Sequence, residues 1–136
     1  NVISNLNELG ISIDGASKTT YEKLRLGGRW DKINENLQCI SEQKHKHGFR
    51  FILHFVVQKD NYHEMEDIIM LGKKYNADRV WLNKVEDWNV SDRFADMDIF
   101  NTDHPLHTDY KDRLSKIKPY LGFEKKPIVE IPTLNN

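Results

Sequence analysis

Three short polar clusters, each following an apolar run, carry the side chains best suited to chemistry. Ser12, Asp14 and Gly15 close the run that starts at Gly10-Ile11, Gln58 and Asn61 follow Phe51 to Val57, and Asn83 and Glu86 follow Val80-Trp81-Leu82. All are small, neutral polar or acidic groups. They suit hydroxyls, amines and carboxamides, and so a ribose or an amino acid ligand better than a phosphate. Asp14 and Asn61 have a plainer reading as turn and cap residues, because short polar side chains satisfy free backbone N–H groups. Asp14 and Glu86 would also serve a hydrolase or lyase if the two carboxyls converged and one acted as a base of raised pKa.

The elements that must position these groups are legible from periodicity. Phe51-Ile52-Leu53-His54-Phe55-Val56-Val57 is apolar on both parities, which predicts a strand buried on both sides, as in a parallel sheet. Val80-Trp81-Leu82 is a shorter version after the Asn76-Ala77-Asp78 turn, and Gly10 to Gly15 alternates apolar with small polar residues. Trp30, Ile33, Leu37 and Ile40 form one helical stripe that ends near Gly48. Asn61 and Glu64 have capping-box spacing before a second stripe of Met65, Ile68, Ile69, Gly72 and Tyr75. Leu106, Tyr110, Leu114, Ile117 and Leu121 mark a third helix from Pro105 that Pro119 stops or kinks, and Asn1 to Leu9 is expected to hold the last turns of another. The order strand, helix, strand, helix, strand, helix predicts right-handed βαβ units and an α/β fold with about three parallel strands. Ligands bind such sheets at the carboxyl ends of the strands, where the three polar clusters fall. A polar, Asp-rich segment from Glu86 to His104 reads as a loop or cap, and Ile128 to Ile131, between Pro127 and Pro132, as an extended segment able to pair at an edge.

Composition removes several function classes. Twenty Lys and Arg against 21 Asp and Glu give a net charge of −1, without the basic excess that nucleic acid or an anionic membrane calls for. No apolar run approaches the roughly 20 residues of a membrane span, and Asn1 to Leu9 lacks the basic start and apolar core of a signal peptide, so the expected location is cytoplasmic. Cys39 is the single cysteine, expected buried or partly buried beside Ile40; it permits neither an intrachain disulfide nor a thiolate-built metal site. Of six histidines, His45, His47, His104 and His107 lie away from the strand ends, and only His54 and His63 fall near them. His54 is expected inside, satisfied or pointing toward a substrate. Trp81, Trp88, Phe94 and Phe100 are expected as core or loop anchors, with the floor of a substrate pocket as their functional alternative.

Taken in order, Ile11-Ser12-Ile13-Asp14-Gly15-Ala16-Ser17, Thr20-Tyr21-Glu22, Leu24-Arg25 and Gly27-Gly28-Arg29-Trp30 resemble the fourth strand and following segment of the radical S-adenosylmethionine superfamily. The nearest branch in pattern is that of sulfatase-maturing and peptide-modifying enzymes. Phe55-Val56-Val57-Gln58 with Asn61 and Glu64 is similar to the fifth strand of that family, and Ala77-Asp78 with Val80-Trp81-Leu82 to the sixth; the likeness runs from Leu6 to Trp88. It implies a partial (β/α)₆ barrel resembling a TIM barrel. Residues 1–90 would supply strand–helix units four to six, and 91–136 a loop, a helix and an extended tail packing on or capping the barrel. The implied cofactors are S-adenosylmethionine and a [4Fe-4S] cluster, whose electron cleaves the former to a 5′-deoxyadenosyl radical that abstracts hydrogen from a substrate. An electron donor such as flavodoxin or ferredoxin is implied as a partner, and the substrate is a peptide, a protein or a small molecule.

By the same resemblance, Ser12 and Asp14 approach the ribose and methionine moiety, and Arg25 pairs with the methionine carboxylate. Gln58 and Asn61 lie near ribose or substrate, and Leu82 lies against adenine. The chain has no C-x₃-C-x₂-C loop, so the expectation is a barrel fragment whose cluster ligands precede Asn1 and which alone is inactive. The alternative is a non-catalytic βα module for binding or assembly. A fragment of this kind exposes sheet edges and an inner face, so it is expected to dimerise, swap elements or fill one edge with Ile128 to Ile131.

Overall fold

Strand β2, Arg50–Val57, has the longest apolar run of the chain, and it lies between two parallel neighbours. The computed structural model describes residues 2–89, 92–122 and 124–131. Strands β1 (Glu8–Ser12), β2, β3 (Arg79–Lys84) and β4 (Ile128–Glu130) form one sheet in the order β1-β2-β3-β4, every pair parallel. The fold is α/β, a four-stranded parallel sheet alternating with helices. Two helices, α1 (Lys18–Leu24) and α2 (Trp30–His47), connect β1 to β2; α3 (Met65–Lys74) connects β2 to β3; α4 (Phe94–Met97) and α5 (His107–Ile117) connect β3 to β4.

The two faces of the sheet differ. Phe51, Leu53 and Phe55 of β2, Val80 and Leu82 of β3, and Val129 of β4 are buried in one core with Leu37 of α2, Ile68 and Ile69 of α3, and Tyr110 and Ile117 of α5. Alternation along the strands sends the remaining residues the other way. There Ser12, His54, Trp81 and Glu130 stand side by side in register, and Trp81 is 37% exposed. The apolar run of β2 predicts burial on both sides, but the second face is only partly covered, with Phe94 and Met97 of α4 beside Val56 and Trp81 at its carboxyl end. Ile52 is buried there, while His54 and Val56 are only half-covered.

Local chemistry sets the element ends. Gly48 caps α2 in the left-handed region (φ 75), its N–H on the Lys44 carbonyl. Cys39, expected at least partly buried, is exposed on α2. β1 starts at Glu8, earlier than its alternation predicts, and a single 3₁₀ turn, Val2–Asn5, precedes it in place of helical turns. Helix α1 is an element that the periodicity does not announce; Ser17 opens it by accepting the Thr20 N–H. The Pro119 stop holds, with α5 running into a 3₁₀ turn at Lys118–Tyr120. Within the Asp-rich segment, Ile99 and Phe100 are buried and tie it to the core. The expected pairing of the tail occurs: Ile128–Glu130 joins β3 as a fourth strand, one more than the strand signals indicate, and Val129 also bridges Leu121 and Gly122.

At the amino ends of the strands, Asp78 holds the sheet together. Its carboxyl accepts the Phe51 N–H at 2.8 Å and lies 3.1 Å from the Lys44 ammonium and 3.6 Å from that of Lys126, while its carbonyl accepts the Ile128 N–H at 2.8 Å. Burial works against its charge, but the Phe51 N–H and the hydrogen bond and charge of Lys44, with the charge of Lys126, outweigh it and hold the carboxyl below the usual range. A depressed native pKa means that the stabilisation is complete above the unfolded value of about 3.9 and drains as pH falls through the native one. Asp78→Asn should therefore lower stability at neutral pH, and urea midpoints of the two proteins should converge as pH drops below about 4. A second test concerns packing. A Cβ on Gly72 of α3 would come within 2.5 Å of Val80 Cγ2. Gly72→Ala, which favours an isolated helix by about 1 kcal/mol, should here destabilise by about 1–3 kcal/mol in chemical denaturation.

Candidate functional site

The turns after β1 and β2 are joined by two buried polar side chains. Asn61 is fully buried and spends its whole amide on backbone: Nδ2 donates to the Asp14 carbonyl (3.0 Å) and the Val56 carbonyl (2.8 Å), and Oδ1 accepts the Gln58 N–H (2.8 Å). Glu64, 5% exposed, accepts the Ala16 N–H at 2.6 Å, the Thr20 hydroxyl at 2.8 Å and the Ser17 hydroxyl. The capping-box reading of Asn61 and Glu64 is thereby corrected. A 3₁₀ turn, Tyr62–Glu64, intervenes before α3, neither side chain caps it, and both reach across to the β1–α1 segment instead. Tyr62 of that turn donates to Asp109 of α5 at 2.6 Å.

Beside this clamp lies a cleft of about 690 Å³ at the carboxyl end of the sheet, on its open face. Asp14, Gln58, Asn83 and Glu86 line it with Trp81 and Trp88. Asp14 Oδ2 accepts Arg25 Nε at 3.0 Å, and the same guanidinium donates to the Ser12 carbonyl at 3.3 Å. The other carboxylate oxygen, Asp14 Oδ1, and the amide oxygen of Gln58 are both shielded from solvent and have no hydrogen-bond partner among the described residues. Buried acceptors without partners are uncommon, and these two belong to residues that line the cleft. Below them His54 stacks against Trp81 with ring centroids 5.5 Å apart, its Nδ1 3.5 Å from Asn83 Nδ2. Gly10 makes room for that ring: a Cβ there would meet His54 Nε2 at 3.0 Å.

The sequence-derived residues thus divide. Asp14, Arg25, Gln58 and Asn61 gather at the β1 and β2 ends. Asn61 is consumed in holding backbone, and Ser12 contributes its carbonyl to Arg25. Leu82 is fully buried in the core on the helix-covered face, so its side chain leaves the cleft, and its neighbours Trp81 and Asn83 line it. Asp14 and Glu86 both line the cleft. Glu64 is the important residue whose role spacing misassigned. The hydroxyls of Ser17, half-buried, and Thr20, buried without an apolar reason, are the signal that an acceptor from elsewhere meets them.

No group of three His, Cys, Asp or Glu side chains among the described residues is placed to hold a metal ion. No helix of the described residues is long and apolar enough to cross a membrane. No protein-family model matches the chain, and no curated protein matches it significantly.

Removing the Glu64 carboxyl strands three donors, each loss costing about 1–3 kcal/mol if water does not replace it. Glu64→Ala should destabilise by about 3 kcal/mol or more, and Glu64→Gln by less, because the amide keeps one acceptor. Denaturation midpoints, with faster hydrogen exchange at the Ala16 N–H, would check this. Unchanged exchange in a destabilised variant would remove the clamp from the explanation.

Proposed function

We propose that this chain is the later wall of a radical S-adenosylmethionine barrel, β1 to β3 standing as its fourth to sixth strands, with a strand-end cleft that binds the cosubstrate. The observation that carries the proposal is the pair of shielded, unpartnered acceptors, Asp14 Oδ1 and Gln58 Oε1, at the carboxyl end of a parallel sheet. Strands in sequential order, with the core on one face and a cleft on the other, are what a segment of barrel wall requires. A doubly wound sheet reverses its order and takes helices on both faces. β4 then continues the wall beyond the sixth strand.

The donor and acceptor chemistry fits S-adenosylmethionine. Ribose hydroxyls and an α-ammonium group are donors, and Asp14 and Gln58 offer the acceptors. Arg25 uses two of its donors on Asp14 and the Ser12 carbonyl, and the rest of its guanidinium fork suits the methionine carboxylate. Bound there and reduced by one electron from outside this chain, S-adenosylmethionine would supply hydrogen-atom abstraction. This chain's own part is to orient it by these contacts and to keep water from the β1 and β2 ends. A [4Fe-4S] cluster does not fit the residues present, since Cys39 is the single cysteine and is exposed on α2. Its ligands belong to another segment, with the electron donor.

Trp81 and Trp88 report on the cleft. Titration with S-adenosylmethionine, and with 5′-deoxyadenosine, should change indole fluorescence saturably, and Asp14→Asn should weaken binding about tenfold, the worth of one charge-assisted hydrogen bond. No response to any adenosyl compound at millimolar concentration, from the folded chain, would sink the proposal and favour the non-catalytic binding module.

A further inference from the structure

The β3 side of the cleft has a chemistry of its own. Trp81 on β3 and Trp88 in the loop beyond it line the cleft, 37% and 73% exposed, and Glu86 and Asp87 join them there. An indole left largely to water beside carboxylates is poorly explained by packing. The charges nearby are unevenly matched. Lys84, which lines the same cleft, lies 3.8 Å from Asp98 and 5.6 Å from the centre of the Phe100 ring. Lys59 is 2.7 Å from Asp96 and Arg25 is 3.0 Å from Asp14, so these three cations are already taken up. Glu86 has neither an ion pair nor a hydrogen bond among the described residues, and the Asp87 carboxyl accepts only the Asn89 N–H.

We infer that this side of the cleft binds a cationic group, an alkylammonium or guanidinium, held between the indoles of Trp81 and Trp88 and drawn by Glu86 and Asp87. Indole faces attract cations through the ring quadrupole, and carboxylates without a counter-ion add charge at the same place. An anionic group would meet Glu86 and Asp87, with Lys84, the cation that lines the cleft beside them, drawn toward Asp98. Assigning the cation to the substrate rests on the proposed cosubstrate site at the β1 and β2 ends; its binding to the β3 side does not. The group can come from a free amine or from a basic side chain of a peptide, which share this chemistry.

The test follows the indole N–H resonances of the whole chain by NMR. The probes are Nα-acetyl-lysine amide, its Nε-acetylated counterpart and a short peptide with one lysine between neutral residues. The charged probes should move Trp81 and Trp88 saturably and leave Trp30 in place, and Nε-acetylation should weaken binding about threefold or more. Glu86→Gln, an exposed change that leaves the fold alone, should weaken the lysine amide about threefold at low salt. Tighter binding of the peptide than of the amide would identify a peptide substrate, and equal binding a small amine. Charged and acetylated probes that bind alike, unmoved indoles, or full binding to a Glu86→Gln, Asp87→Asn double variant would each overturn the inference. Adenosyl compounds that fail to bind while the lysine probes succeed would overturn the cosubstrate reading alone.

Discussion

The carboxyl of Glu64 fastens the segment after β1 to the turn after β2, and the geometry of the cleft depends on it. Three donors from Ala16, Ser17 and Thr20 converge on one buried group that is far from them in sequence. Asn61 reinforces the join by bridging the carbonyls of Asp14 and Val56. With both in place, Asp14 and Gln58 are held at adjacent strand ends by backbone whose polar groups are satisfied. Hydrogen bonds that converge on a buried carboxyl strengthen one another in a low dielectric, and a missing partner there is correspondingly costly. The neighbouring groups can therefore keep free acceptors without the turns collapsing onto them.

The second constraint is one-sided burial. Sequential parallel strands with crossovers of one hand place their helices on one face, and all the helix residues in the core pack against that face. The other face receives Ser12, His54, Trp81 and Glu130 in one register row, a mixture that neither a fully buried nor a fully solvated surface would select. Gly10 belongs to this arrangement, because a side chain there would press on the His54 ring. Burial on one face and polar function on the other divide the labour of each strand between alternate residues.

Much of this was legible in the chain. The runs at Phe51 to Val57 and Val80 to Leu82, the stripes of α2 and α3, Gly48 and Pro119 are signals of local origin, and the structure follows them. The tail at Ile128 to Ile131 could be read as extended because prolines bracket an apolar alternation. What failed depended on tertiary partners. Helix α1 has no apolar stripe, and only Ser17 marks its start. The spacing of Asn61 and Glu64 satisfies a local motif, yet all three partners of Glu64 and one of Asn61's lie in the segment after β1, which no local rule detects. The strand-end rule brought Asp14, Gln58, Asn83 and Glu86 to the cleft, but it cannot say which parity faces inward; hence Leu82 lies in the core while Trp81 lines the cleft.

The cleft itself argues for a ligand on energetic grounds. A shielded acceptor without a partner costs about 1–3 kcal/mol, and Asp14 Oδ1 and Gln58 Oε1 are two such atoms in one cavity. The satisfied neighbours sharpen the point: Asn61 and Glu64 have every need met, so this chain can pair buried polar groups where stability alone is at issue. Leaving two acceptors unpaired beside two fully paired groups places the exception in the cleft, and donors brought by a bound molecule would remove it.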